Sequence, residues 1–194
     1  MENGFLYSAY KVIVDNLKYL NLVELFKTIA VRINPQKKVA YSRIGTDIFI
    51  VLKWIFVFVL WFSGKTSCLL TISIWYLIAT NIYTYFFYHI WCDDALDTSG
   101  HDSDRIRRRF VNLLLAVAFS DFCFAYLYRF PFSTDFSNTA TGNSIWFSVS
   151  NSLAANYSII QPTTDFGNSV AMTQLIMTFI FVTIIISRSI PQKC

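Results

Sequence analysis

The chain has 194 residues, of which 55% are hydrophobic, 18% aromatic and 14% charged, and its net charge is +4. Soluble domains of this size carry about 25% charged residues, so the composition excludes an ordinary soluble protein and predicts an all-α membrane protein. The basic residues flank apolar runs, which fits membrane topology and argues against nucleic-acid binding. The four cysteines are widely spaced and form no metal or redox motif, so we expect no metal and no cofactor.

The first segment, residues 1–43, carries apolar residues at helical spacing over positions 5–33, with charged residues between them. This pattern predicts one or two amphipathic helices, broken near Asn21 and ended by Asn34-Pro35. Two locations fit such helices equally well. They lie in the cytoplasmic interface of the membrane, or they pack against the membrane domain of the same or a neighbouring subunit.

The second segment, residues 44–109, predicts a transmembrane hairpin followed by a charged cytoplasmic loop. Its spans cover positions 47–63 and 68–91, and the turn Gly64-Lys65-Thr66 joins them. The first span contains Lys53, and a lysine inside a span is by default a candidate for function or for pairing. Aromatic residues gather toward the end of the second span, as is typical where a helix leaves the bilayer.

The loop of residues 92–109 concentrates aspartates and then arginines. Asp93, Asp94 and Asp97 fit the D-D-x-x-D pattern with which membrane prenyltransferases hold magnesium diphosphate. Those enzymes need a second acidic motif, which this chain lacks. We therefore expect a solvated loop whose arginines anchor the next span, and we expect no enzyme activity.

The third segment, residues 110–194, has predicted spans at 110–128 and 169–187. Asp121 lies near the centre of the first of these, where an unpaired carboxylate is costly. Because Lys53 is the only basic residue inside another predicted span, we predict an intramembrane charge pair between Lys53 and Asp121. Between the two spans, residues 144–154 form a helix of about 16 Å, which crosses only half of the hydrocarbon core. We therefore predict a re-entrant pore helix there.

From Phe147 the chain reads F-S-V-S-N-S-L-A-A-N-Y-S-I-I-Q-P. Without a gap, this stretch resembles the pore loop of two-transmembrane potassium channels, in which F-S-V opens the pore helix and T-T-V-G-Y-G-D forms the filter. The matching residues are Phe147, Ser148, Val149, Tyr157 and Pro162. The filter threonines fall on Leu153 and Ala154, the glycines on Asn156 and Ser158, and the aspartate on Ile159.

The resemblance implies a homotetramer in which a filter-like strand and a cavity-lining helix surround a path for monovalent cations. The filter-like residues are Ala155, Asn156, Tyr157, Ser158 and Ile159, and the cavity-lining residues are Thr173, Gln174, Met177 and Thr178. A potassium filter points backbone carbonyls at the ion, and glycine reaches the required conformation more freely than other residues do. We therefore expect weak potassium selectivity, or a relative that does not conduct.

The distribution of basic residues predicts the orientation. Most of them precede the first span, lie between the second and third spans, or follow the fourth, whereas Lys65 and Arg129 lie on the other side. The positive-inside rule then predicts an integral membrane protein with both termini in the cytoplasm, and the residue usage suggests a bacterial inner membrane. The alternative function is a non-channel accessory or effector of a bacterial defence system, for example a CRISPR-associated one. It would act through a soluble partner or by permeabilising the membrane.

Overall fold

The computed structural model describes residues 4–91 and 103–189, and within these ranges the chain is helical and contains no strand beyond one isolated bridge. The α-helices of the described residues are α1 Phe5–Leu17, α2 Leu22–Ile33, α3 Lys38–Ser63, α4 Cys68–Phe86, α5 Ser103–Arg129, α6 Thr141–Ser152 and α7 Asp165–Ser189. A π-helical turn, Phe87–Trp91, follows α4. The acidic motif at Asp93, Asp94 and Asp97 lies outside the described residues.

Among residues 4–91 and 103–189, four helical segments are long and apolar enough to cross a membrane. They are Pro35–Ser63, Cys68–Phe86, Phe110–Arg129 and Asp165–Ile184. These segments overlap the spans expected from hydropathy, so the prediction of an all-α protein with four candidate membrane helices is confirmed. The first segment begins earlier than predicted, because Asn34 caps a 3-10 turn at Pro35–Lys37 that continues directly into α3.

The chain divides into two compact units, Met1–Phe56 and Val57–Cys194, so the division falls inside α3. In the first unit, the helical pattern resolves into two helices. Asn21 separates them, and its side-chain oxygen accepts a hydrogen bond from the Val23 amide at 3.1 Å. This is the capping role that asparagine favours at a helix start.

Helix α2 packs against the first half of α3 at Gly45. A Cβ atom at Gly45 would lie 2.8 Å from the backbone oxygen of Phe26 and 3.0 Å from the Cβ of Ala30. The rings of Phe26 and Phe49 meet at 5.4 Å beside this contact. The missing side chain of Gly45 therefore permits the close approach of the two helices.

In the second unit, polar side chains join α4 to α5 inside an apolar core. The Asn81 amide nitrogen donates to the backbone oxygen of Ala116 at 2.9 Å and lies 3.1 Å from the Ser120 hydroxyl. The Tyr85 hydroxyl donates to the backbone oxygen of Asn112 at 2.6 Å. Helix α7 completes a core cluster with these helices, formed by Tyr85, Leu113, Ala116, Phe181 and Ile184.

Candidate functional site

The short helix α6 lies between the third and fourth candidate spans and carries a polar face. Ser144, Ser148, Asn151 and Ser152 follow helical spacing and therefore share one side of the helix. Ser144 and Ser148 are fully buried. The helix begins three residues before the predicted start at position 144, because the extended Ala140 provides the N-cap. It ends two residues before the predicted end, because the chain turns at Leu153 and Ala154.

The amide of Gln174 on α7 is the centre of a buried hydrogen-bond network. Its Nε2 atom lies 2.7 Å from Ser148 Oγ, 2.9 Å from the Ser148 backbone oxygen and 3.1 Å from Asp121 Oδ1. Its Oε1 atom accepts from the Tyr128 hydroxyl at 2.6 Å and from the Asn151 amide at 2.9 Å. One side chain, 1% exposed, thus joins α5, α6 and α7.

Asp121 is the acidic member of this network. Its second carboxylate oxygen lies 3.3 Å from the Ser152 hydroxyl, and its backbone oxygen accepts from Ser148 Oγ at 2.7 Å. Buried carboxylates need such donors, because losing water without replacement is costly. Asp121 is half-buried, whereas Lys53 is buried and belongs to the first unit, so the Lys53–Asp121 pair stays a prediction.

The segment that contains α6 has both of its ends fastened together. The Ser137 amide donates to the Gln161 backbone oxygen at 2.9 Å, and the Thr163 amide donates to the Asp135 backbone oxygen at 2.8 Å. The Thr164 hydroxyl donates to the Asp135 carboxylate at 2.7 Å. The chain therefore leaves and returns at one place, with α6 and a non-helical return segment between.

Three aromatic rings fill the space beside this junction. The ring centroids of Tyr128 and Phe136 are 4.7 Å apart, and those of Tyr128 and Phe147 are 5.0 Å apart. Phe136 and Phe147 meet at 5.8 Å. The cluster therefore joins the end of α5, the fastened loop and the first half of α6.

The filter-like residues follow the C-terminus of α6. Ala155, Asn156, Ser158 and Ile159 are exposed, whereas Tyr157 is half-buried, with its hydroxyl 3.5 Å from Asn143 Oδ1. Among the predicted cavity-lining residues, Thr173, Met177 and Thr178 are half-buried and Gln174 is buried in the network. These two assignments concern several copies of the chain, and they stay predictions.

Helix α6 ends in a strained turn. The Ala154 amide donates to the Asn151 oxygen at 2.9 Å, and the Ala155 amide donates to the Ser150 oxygen at 2.7 Å. Ala154 has a φ of +52°, in the left-handed region where a Cβ costs about 1 kcal/mol and where glycine usually stands.

We expect Ala154→Gly to raise the free energy of unfolding by about 0.5 to 1 kcal/mol, because glycine relieves the left-handed strain. Ala140→Gly is the matched control, since Ala140 has a φ of −60° and glycine should there be neutral or destabilising. Thermal unfolding of both variants in detergent micelles tests this. A lower stability of Ala154→Gly would show that packing of its methyl group outweighs the strain.

Sequence reasoning did not assign Tyr128, Asn151 and Ser152 to the site. A signal was present, because the serines at positions 144, 148 and 152 recur every fourth residue and thus form a polar stripe along one face of the helix. Asp121 and Gln174 each lie inside a neighbouring apolar run. Mid-span polar groups require internal partners, and the stripe of α6 was available to provide them.

The described residues contain no group of three or more His, Cys, Asp or Glu that could hold a metal ion. The fold and the site together define a helical protein with four candidate membrane spans and a short polar helix between the third and the fourth. Comparison with protein-family models, curated proteins and solved structures found no match.

Proposed function

We propose that the protein is a small homo-oligomeric membrane pore for cations, in which α6 and residues 153–160 form a re-entrant loop. The main support is that the polar face of α6 binds residues near the middle of two candidate spans. At 1.5 Å per residue, Asp121 lies about 12 Å from the end of α5 at Arg129, and Gln174 about 14 Å from the start of α7. Half of a hydrocarbon core is about 15 Å.

The fastened ends of the loop support the same arrangement. Residues 135–137 and 161–164 lie between the end of one candidate span and the start of the next. Helix α6 has 12 residues and is about 18 Å long, and the eight residues 153–160 could cover at most about 29 Å if fully extended. The helix therefore reaches mid-membrane from one surface, and the return segment is long enough to come back to it.

The exposed loop residues support an oligomer. Non-helical backbone inside a membrane is tolerated only where protein buries it or where it lines a watery cavity. In the single chain, Leu153 is 74% exposed and Asn156 and Ser158 are exposed as well. In a rotationally symmetric oligomer, neighbouring copies would cover Leu153 and leave Asn156 and Ser158 around a shared axis. The resemblance to potassium channels implies four copies.

The charges near the loop favour cations. Between Arg129 and Arg188 the sequence contains no lysine, arginine or histidine, whereas Asp135 and Asp165 lie at the ends of the loop. The C-terminus of α6 adds partial negative charge, because the carbonyls of a helix point toward that end. Asn156 and Ser158 stand where the potassium filter has glycine, and they reach the backbone conformation of that filter less freely than glycine does. We therefore expect weak potassium selectivity.

The N-terminal helices fit a location at the cytoplasmic membrane surface of a bacterial inner membrane. On α1, the side chains of Leu6, Tyr10, Ile13 and Leu17 form one stripe and are all exposed. Lys11 and Lys18 lie beside this stripe, where lipid headgroups would receive them. The same stripe would also suit a soluble partner, as the accessory alternative requires.

Recordings from purified protein in planar bilayers test the pore. We expect cation currents with little preference for potassium over sodium. Asn156→Lys should abolish them, because it adds a positive charge to the filter-like segment. Thr66→Lys adds the same charge to the exposed turn after α3 and should leave the currents intact.

Two outcomes would contradict the proposal in different ways. Strong potassium preference would show that the filter-like segment selects despite its missing glycines. If a folded oligomer carried no current, the pore proposal would be wrong. Co-purification of a soluble partner would then favour the accessory function.

A further inference from the structure

We infer that Gln174 is the positioning residue of the re-entrant loop, and that gating occurs at residues 153–159 rather than by bending of α7. This inference rests on the proposed pore function for its consequence, although its structural part is measurable without any current. It assigns the regulation of the pore to a hydrogen-bond network behind the loop.

The C-terminal half of α7 is poorly suited to bend. Phe181 and Ile184 are each 1% exposed and pack with Tyr85, Leu113 and Ala116 of α4 and α5. After Gly167, the sequence of α7 contains neither glycine nor proline. Sharp helix kinks almost always need one of these residues, a π-bulge or an inserted polar group, so this half of α7 has no glycine or proline hinge.

The loop, by contrast, depends on α6 for its position. Leu153 and Ile159 are 74% and 47% exposed, and the Tyr157 hydroxyl reaches Asn143 only at 3.5 Å. The hydrogen bonds that hold α6 to Gln174, from Ser148 and Asn151, are shorter, between 2.7 and 2.9 Å. Loss of the Gln174 amide removes these bonds between α6 and α7, and we therefore expect α6 to shift and the loop to shift with it.

The bonding capacity of Gln174 explains why it holds a single position. A primary amide has two N–H donors and two lone pairs on its oxygen. Here the oxygen accepts from Tyr128 and Asn151, and the nitrogen faces Asp121 and Ser148. Because the amide is fully used, another rotamer or an apolar residue would break the bonds that Tyr128, Asn151, Ser148 and Asp121 make to it, at a cost in free energy for each bond lost inside the protein.

The rate at which Ser158→Cys reacts with a membrane-impermeant thiol reagent measures loop position. The experiment uses the full chain in proteoliposomes, with the native cysteines replaced by alanine. Adding Gln174→Met should change the rate about tenfold, the effect of about 1.4 kcal/mol. Adding Tyr128→Phe, which removes one bond to Gln174, should change it by a smaller factor.

Thr183→Val is the matched control on the same helix. The Thr183 hydroxyl bonds to the Phe179 backbone oxygen of its own helix at 2.8 Å, so its removal should leave the rate unchanged. Elution volume and melting temperature in detergent report whether each variant is folded. If Gln174→Met does not fold, Tyr128→Phe decides the test, because it keeps the shape of the ring.

A rate in the folded network variants equal to that of the control would overturn the inference. Currents add a second criterion: Thr183→Val should leave the open probability unchanged, and Gln174→Met or Tyr128→Phe should change it. The reverse pattern would place the gate in α7. If no variant conducts but the thiol rate still responds to Gln174, the positioning role stands and the pore proposal fails.

Discussion

Gly167→Ala should lower the free energy of unfolding by about 2 kcal/mol, although alanine is the better helix former by about 1 kcal/mol. A Cβ atom at Gly167 would lie 2.5 Å from the backbone oxygen of Asp135 and 3.3 Å from the Asp135 Cβ. The obstacle is backbone rather than the end of a flexible side chain. The start of α7 must therefore move away from the loop.

That movement would also loosen the fastened ends of the loop that contains α6. The same Asp135 oxygen accepts from the Thr163 amide at 2.8 Å, and the Gly167 amide is capped by the Thr164 hydroxyl at 3.0 Å. For the pore proposed above, we therefore expect a smaller current in addition to the lower stability.

Gly142→Ala is the matched control for this substitution. Gly142 also lies in the first turn of a helix, α6, but a Cβ there would meet nothing within 4 Å. It should raise stability by about 0.5 to 1 kcal/mol. Thermal unfolding in detergent micelles compares the two variants, and an increase for both would show that α7 does not approach Asp135 so closely.

Phe136→Ala should lower the free energy of unfolding by about 3 to 5 kcal/mol, the range for replacing a buried phenylalanine with alanine. Phe136 is 4% exposed, and its ring packs between those of Tyr128 and Phe147 at 4.7 and 5.8 Å. Deleting the ring leaves a cavity between the end of α5 and α6. Because Tyr128 also bonds to Gln174, the loss should spread into the polar network.

Phe166→Ala is the control for that prediction. Phe166 is 51% exposed, and its ring centroid lies 5.0 Å from that of Phe132. Because removing this ring leaves little empty volume, the free energy of unfolding should fall by less than about 1 kcal/mol. Denaturant or thermal unfolding measures the difference. Equal losses for the two variants would mean that Phe136 does not belong to a packed cluster.

The four candidate spans and the short helix between the last two could be predicted from the sequence. Hydropathy and length are properties of a contiguous segment. A span such as 110–128 can therefore be predicted without knowing which helices pack against it. The predicted ends of α6 differ from the observed ends by two or three residues. The N-cap at Ala140 and the left-handed turn at Ala154 set the observed ends, and both depend on local backbone geometry that composition does not reveal.

The sequence by itself determined an apolar helical chain with four candidate spans, marked Asp121 as a carboxylate that needs a partner, and assigned Gln174 to a cavity lining. Only the tertiary structure decided that these two meet each other, together with Ser148, Asn151 and Tyr128. The choice of partners depends on how far each helix is rotated and shifted against the next. Donor and acceptor atoms of a hydrogen bond must lie within a few tenths of an ångström of 2.9 Å apart. Residue spacing along the sequence does not predict the positions of helices relative to one another with that precision.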